Sequence, residues 1–149
     1  MISHLVLFSF LIVTITIVIA PKTYAQSTDT CTFSQISSGE LVGDGGTLPT
    51  QLVSFSTAGG SPTQISVNCK EPVSLSVSEP IQIAGPAFQP VSSLVTVETA
   101  NGGSTNSRSG SPLSLPVGTT PVVINLFVDK GSLLAPGNYR YGIKFTIVP

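Results

Sequence analysis

The sequence predicts an all-β protein, an antiparallel β-sandwich with Greek-key connections. Apolar and polar residues alternate in most segments after residue 26, which is the pattern of strands with one buried face. The 14 glycines and 12 prolines interrupt these segments at short intervals and indicate turns. Only 9% of the 149 residues are charged, whereas about 25% are charged in a typical soluble domain. The surface is therefore expected to be neutral and polar.

The first 25 residues predict a secretory signal peptide. An apolar run over 5–20 ends at Pro21, and small residues lead to an expected cleavage site after Ala25. No Lys or Arg precedes the run, so an uncleaved membrane anchor over 2–20 is the alternative. In that case, only this segment would contact the membrane. Cleavage leaves a single domain over 26–149, in which Ser and Thr supply 32 of 124 residues.

Two neighbouring segments, 64–69 and 73–78, show the clearest alternation. In the first, Val67 and Cys69 share one face, so the Cys69 sulfur is expected to point inward. In the second, valine and leucine alternate with serine. The polar, proline-containing residues 70–72 between them predict a hairpin turn.

The remaining strands are predicted from shorter patterns. Residues 52–56 and 94–98 alternate briefly, and residues 139–148 alternate over their whole length. Residues 121–128 are nearly continuously apolar, which favours a central strand covered on both faces. The polar, glycine-rich residues 101–110 predict a mobile surface loop.

The two cysteines, Cys31 and Cys69, predict one disulfide, because an exported protein with an even number of cysteines usually pairs them. Two unpaired buried thiols are the alternative. No metal or other cofactor is expected, since two thiols without a histidine in the mature chain do not make a common four-ligand site.

Catalytic groups are scarce, and the sequence predicts a protein that is not an enzyme. The only histidine, His4, lies in the predicted signal peptide, which leaves a serine or cysteine nucleophile without its usual base. The glycine-rich residues 43–46 lack the lysine of a phosphate loop and the ligands of a calcium loop, so they predict a tight turn. A net charge of −1 argues against nucleic-acid binding. The carboxylates show no spacing that indicates a glycosidase pair; they are Asp29, Glu40, Asp44, Glu71, Glu79, Glu98 and Asp129.

Three features together resemble secreted bacterial fimbrial subunits, most nearly the spore coat protein U group of chaperone–usher pilins. They are the signal peptide, an early cysteine followed by a second one in the strand ISVNCK, and a last strand entered through Pro-Gly-Asn-Tyr. The resemblance implies an incomplete immunoglobulin-like sandwich with a Cys31–Cys69 bridge between early strands. It also implies assembly with other copies or related subunits by strand donation, and a periplasmic chaperone as a partner.

The segment before Cys31 departs from this family, whose subunits normally carry a donor segment of ten or more residues there. Residues 26–30 are only five and are polar. Three alternatives follow: a complete sandwich, a subunit that only accepts a strand, or a subunit anchored by 2–20. In each case we expect a structural or adhesive protein that passes through the periplasm to the cell surface or is secreted.

The candidate site lies on the last predicted strand. An alternative function is a secreted polysaccharide-binding module, in which Tyr139 and Tyr141 form an aromatic ridge beside the 101–110 loop. The same two rings are equally compatible with a half-buried core strand. The residues predicted to form a strand-assembly edge are Tyr139, Tyr141, Ile143, Phe145 and Ile147.

Overall fold

The computed structural model describes residues 25–27 and 30–149, and it confirms the all-β fold, with antiparallel sheets curled into a half-barrel. The predicted signal peptide lies outside the described residues, except for Ala25. A short 3₁₀ turn spans Ser56–Ala58. The strands are β1 (Ala25–Ser27), β2 (Cys31–Ser37), β3 (Val42–Asp44), β4 (Gln51–Val53), β5 (Thr63–Cys69), β6 (Val73–Val77), β7 (Ile81–Ala84), β8 (Ser92–Thr99), β9 (Ser104–Asn106), β10 (Leu113–Leu115), β11 (Gly118–Asp129), β12 (Arg140–Gly142) and β13 (Phe145–Val148).

The longest strand, β11, organises the larger sheet. On one side its first half pairs with β5 and its end with β4, and on the other side it pairs with β8. Beyond these partners, β2 and β1 extend the sheet past β5, β3 extends it past β4, and β9 extends it past β8. The apolar stretch 121–128 is covered on one face only: Val122 and Val128 are buried, whereas Val123 and Phe127 remain partly exposed.

A smaller layer packs against this sheet and encloses the core. It consists of the sheet β10–β6–β13 and the two-stranded sheet β7–β12. Because β7 follows β6 and β13 follows β12, the two sheets form one antiparallel ribbon with an interruption in the middle. The largest side chains that are fully enclosed between the layers are Phe145, Leu75, Leu115, Ile124, Val67, Val95, Val97, Val122 and Val128.

The turn predicted at 70–72 is not a hairpin, because the strands that it joins lie in different sheets. β5 belongs to the larger sheet and β6 to the smaller layer. Cys69 and Val73 are both buried, so each faces the common core from its own layer. The alternation predicted both strands correctly, but it does not indicate which strands pair with each other.

The segment predicted as a mobile loop, 101–110, instead contains a strand. Thr105 in β9 is buried, and Ser107 exchanges hydrogen bonds of 3.0 Å with Val95 through its backbone N–H and its Oγ. Arg108 Nε also donates to the Ser93 carbonyl at 2.8 Å. The three residues of β9 are all polar, so their sequence shows no alternation that would predict a strand. Hydrogen bonds to β8 make this segment a strand.

The Cys31–Cys69 disulfide is confirmed. The two residues are direct cross-strand partners in β2 and β5, with Cα atoms 4.1 Å apart, and both are buried. The predicted tight turn at 43–46 is also observed, since Gly45 and Gly46 have φ of 114° and 80°. Glycine tolerates such angles without the strain that a Cβ atom brings.

Candidate functional site

The last strand lies at an edge of the smaller layer. Predicted as continuous over 139–148, it is observed as β12 and β13 with a break at 143–144. The break lies opposite 78–80 of the neighbouring strand, where Pro80 has no N–H to donate. Within the part of the chain that the structure describes, β13 pairs only with β6 and β12 only with β7, so their other side is open.

The register between β13 and β6 determines which backbone N–H and C=O groups of β13 have no hydrogen-bond partner in β6. Ser78 N–H donates to the Lys144 carbonyl at 3.1 Å, so Lys144 and, two residues on, Thr146 occupy the hydrogen-bonded positions of the antiparallel ladder. Phe145 and Ile147 alternate with them. Their N–H and C=O groups therefore point away from β6, towards the open side, where an added strand would meet them.

The side chains of this strand contribute mainly to the core. Tyr141 is only 5% exposed, Ile143 and Phe145 are also buried, and Tyr139 and Ile147 pack partly buried against the same core. Of the five residues predicted as an assembly edge, Tyr141 lies in β12 and Phe145 and Ile147 lie in β13, whereas Tyr139 precedes β12 and Ile143 lies in the break. At the edge, they present backbone N–H and C=O groups to solvent rather than a row of apolar side chains.

A groove lies near the start of β12, and one of its walls is formed by residues 39–44, which follow β2. Glu40 and Ser61 exchange two backbone hydrogen bonds of 2.9 and 3.1 Å, which fasten this segment close to the start of β5. A Cβ atom at Gly39 would lie 2.4 Å from Thr63 Oγ1, closer than real Cβ atoms approach another atom. Glycine at this position therefore allows the wall to pack tightly.

A groove of about 800 Å³ lies between this wall, together with 47–49, and the segment 133–140. The segment 133–140 leads into the start of β12 and is held by a hydrogen bond of 2.9 Å from Leu134 N–H to the Pro49 carbonyl. No residue of β13 lines the groove. Leu48 and Leu133 line the groove with exposed apolar side chains. Neither 39–44 nor 133–139 has a periodic pattern, so the sequence gives no signal for this groove beyond its glycines and prolines.

A small cavity of about 20 Å³ continues the groove towards the core, and Gly39 and Leu41 line both. Tyr141 also lines the cavity, and its buried hydroxyl has no hydrogen-bond partner among the described residues. Burial raises the pKa of Tyr141 to about 12, with a smaller contribution from Tyr139. The phenol is therefore neutral at physiological pH.

The two tyrosines do not form a shared exposed ridge, because Tyr141 is buried while Tyr139 is engaged elsewhere. The Tyr139 hydroxyl donates to the Ala135 carbonyl at 2.6 Å, and its ring packs edge-on against Phe88 with centroids 6.0 Å apart. Lys130 Nζ lies 5.8 Å from the centroid of the same phenylalanine ring. These contacts fix the 130–139 segment as a wall of the groove.

Glu98 and Asp129, two of the carboxylates on the strands of the larger sheet, do not form a pair. Glu98 pairs with Val123, whereas Asp129 lies six residues further along β11, a separation of about 20 Å at the rise of a strand. Asp129 Oδ1 accepts a hydrogen bond from Gly131 N–H at 2.7 Å, which is a turn contact. In residues 25–27 and 30–149, no group of three His, Cys, Asp or Glu side chains could hold a metal ion.

No helix in the described ranges is long and apolar enough to cross a membrane. Comparisons of the chain with protein-family models, curated proteins and solved structures find no match.

Proposed function

We propose that this chain is a non-enzymatic, exported structural or adhesive protein of the cell surface, assembled by strand complementation at the open edge of β12 and β13. The observation that carries the proposal is the open backbone edge at Phe145 and Ile147, in a strand that carries no charge. The partners are other copies of the chain or related subunits, and a periplasmic chaperone that covers the same edge beforehand.

The composition of β13 supports pairing with another chain. Soluble proteins usually protect a free edge with charges, prolines or a covering segment. The sequence of β13, Phe-Thr-Ile-Val, contains neither a charge nor a proline, and Val148 is 47% exposed. An extended segment placed here would satisfy open backbone groups and cover apolar surface at the same time.

The disulfide and the composition support export. Disulfides persist in oxidising compartments and are rare in the cytosol, and the Cys31–Cys69 bridge joins two strands of the larger sheet directly. The alternative of polysaccharide binding has weaker support, since Tyr141 does not reach the surface as an aromatic platform requires.

Sedimentation velocity over a range of concentrations tests this proposal, on the exported protein whose N-terminus has been established by mass. We expect oligomers that grow with concentration, together with protection of the Phe145 and Ile147 amides from hydrogen exchange on association. Ile147→Pro removes one outward N–H, so it should weaken association about tenfold, in line with the loss of one backbone hydrogen bond.

The matched control is Ile147→Ala, which loses the side chain but keeps the N–H. It should associate more tightly than Ile147→Pro, and circular dichroism should show that both variants keep their strands. A wild-type protein that remains monomeric at every concentration refutes the proposal. Equal association of the proline and alanine variants refutes the role of this edge.

A further inference from the structure

We infer that the strand that pairs with β13 is β13 of a second copy of this chain, and that a two-fold axis through Thr146 relates the two copies. The smaller layers of the two copies then form one continuous sheet across the axis. This inference rests on the proposed function, because it names the occupant of the same open edge.

The register follows from the open backbone groups of β13. The N–H and C=O groups of Phe145 and Ile147 point away from β6, whereas those of Lys144 and Thr146 point towards it. In an antiparallel ladder, two opposite residues whose groups face each other exchange two hydrogen bonds. Placing Phe145 opposite Ile147 of the partner subunit therefore uses every open group of these two residues in both copies. Thr146 then lies opposite Thr146 of the partner subunit.

The side chains of β13 suit this register. Phe145 and Ile147 lie on the core face of the strand, and Thr146 and Val148 lie on the outer face. On the core face, Ile147 is only partly covered by its own chain, and it gains Phe145 of the partner subunit as a neighbour. On the outer face, Val148 is 47% exposed, and it lies opposite Lys144 of the partner subunit, whose aliphatic stem covers apolar surface. The pairing therefore buries apolar surface on both faces of the sheet.

The charges near the edge do not oppose a two-fold contact. β13 itself carries no charge, and the nearest charged residue along the chain is Lys144. In this register the two Lys144 residues are offset by four residues along the strands, which is about 14 Å at the rise of an antiparallel strand. That separation exceeds the Debye length of about 8 Å at physiological ionic strength, so the repulsion between the two ammonium groups is largely screened.

A second open strand, β7, is less suited to be the partner of β13. Its side away from β12 has no neighbouring strand in the part of the chain that the structure describes. Its ladder with β12 is irregular, with a register shift between Arg140 and Tyr141, and such irregularities protect an edge from pairing. Gln82 Nε2 also donates to the Ala84 carbonyl of this strand at 3.4 Å. By contrast, β13 keeps an unbroken register with β6 over all four of its residues.

The contact closes at a dimer. A two-fold contact uses the same surface of both copies, so it leaves no free copy of that surface for a third molecule. Growth beyond a dimer then needs a second surface. The dimer is therefore the unit from which the larger oligomers of the proposed function are built.

Cysteine trapping at the axis tests this register on the exported protein. Thr146→Cys places each introduced thiol opposite the same position of the second copy, with Cα atoms about 4.5 Å apart, as in a non-hydrogen-bonded pair. Since a disulfide requires Cα atoms within about 7 Å, oxidation in a glutathione buffer should yield a covalent dimer. Peptide mapping should show that the introduced thiols are joined to each other and that the Cys31–Cys69 bridge is intact.

The matched control is Val148→Cys, on the same face of the same strand. Its two introduced thiols are offset by four residues in the dimer, with Cα atoms about 14 Å apart along the strands. Because this distance is too long for a disulfide, the control should yield about tenfold less covalent dimer than Thr146→Cys.

A mixed pair of variants tests the register with Thr146 unchanged. Lys144→Cys and Val148→Cys lie opposite each other in the dimer, so oxidising the two proteins together should join one to the other. Each of them oxidised alone should give about tenfold less covalent dimer, because its own thiols are too far apart. Intact mass distinguishes the mixed dimer from the two symmetric ones.

Two results overturn the inference. Equal yields of covalent dimer from Thr146→Cys and Val148→Cys mean that the two strands do not meet at this axis. Failure of the mixed pair to cross-link means that a strand other than β13 occupies the edge. In either case the proposed function stands if the wild-type protein associates and Ile147→Pro weakens its association. Both fail if the wild-type protein is monomeric at every concentration.

Discussion

At the scale of single residues, Tyr141 combines a well-packed ring with an unsatisfied hydroxyl. The residue is buried beside the groove, and its Oη has no hydrogen-bond partner among the residues described. Leaving a buried polar group unpaired costs about 1–3 kcal/mol. We therefore expect Tyr141→Phe to raise the free energy of unfolding by about 1 kcal/mol, measured by urea denaturation. A loss of stability instead would show that the hydroxyl has a partner in solution.

The same residue predicts a dependence of stability on alkaline pH. Burial raises the folded-state pKa of Tyr141 from 10.0 to about 12, so the unfolded chain loses this proton first. The stabilisation is complete below pH 10 and is lost as the pH rises towards 12, by at most about 1.4 kcal/mol per pH unit. Urea denaturation at pH 9, 10 and 11 should show this loss in the wild type. The loss should be absent in Tyr141→Phe, which keeps the other tyrosines. If the free energy of unfolding falls equally with pH in the two proteins, the loss does not come from Tyr141.

At the scale of elements, the disulfide ties the start of β2 to the end of β5. Among the residues that the structure describes, β2 is bordered on its other side only by the three residues of β1. Beyond the pairing with β5, its attachment therefore depends on the bridge and on the stacking of Phe33 against Phe145, with ring centroids 6.2 Å apart.

Replacing both cysteines, Cys31→Ala with Cys69→Ala, should lower the free energy of unfolding by about 4 kcal/mol, the value expected for closing a loop of this length. The bridge spans 38 residues, whose freedom in the unfolded chain it restricts. Urea denaturation of the variant, and of the wild type with reductant, should give similar values. A loss below about 1 kcal/mol would mean that the β2–β5 ladder alone holds the strand.

At the scale of the whole molecule, the two layers meet fully in the core but leave one side open. The open side is the free edge of β12 and β13, which no other strand of the described residues covers. We expect a strand from another molecule to pair with this edge, so the oligomeric state should depend on protein concentration.

Intact mass of the exported protein, with and without reductant, measures the processing of the N-terminus. We expect a mass that lacks residues 1–25 and that rises by two hydrogen atoms when the Cys31–Cys69 bridge is reduced. A full-length mass in the exported protein would instead favour the anchor over 2–20.

The sequence by itself determined the properties that depend on neighbours along the chain. Alternation predicted β5 and β6 and their buried faces, because the side-chain period of a strand is local. Two cysteines in a chain with a predicted signal peptide predicted the bridge. The sequence also placed the candidate edge on the last strand, since residues 139–148 alternate regularly.

Only the tertiary structure decided the features that depend on contacts between distant segments. The crossing from β5 to β6 between sheets, the strand β9 and the burial of Tyr141 follow from pairing and packing partners that no local pattern encodes. The groove arises in the same way, because its walls come from irregular segments separated by almost 90 residues. Periodicity reports which face of a strand is buried, whereas an open edge exists only where the assembled sheets leave a strand without a neighbour.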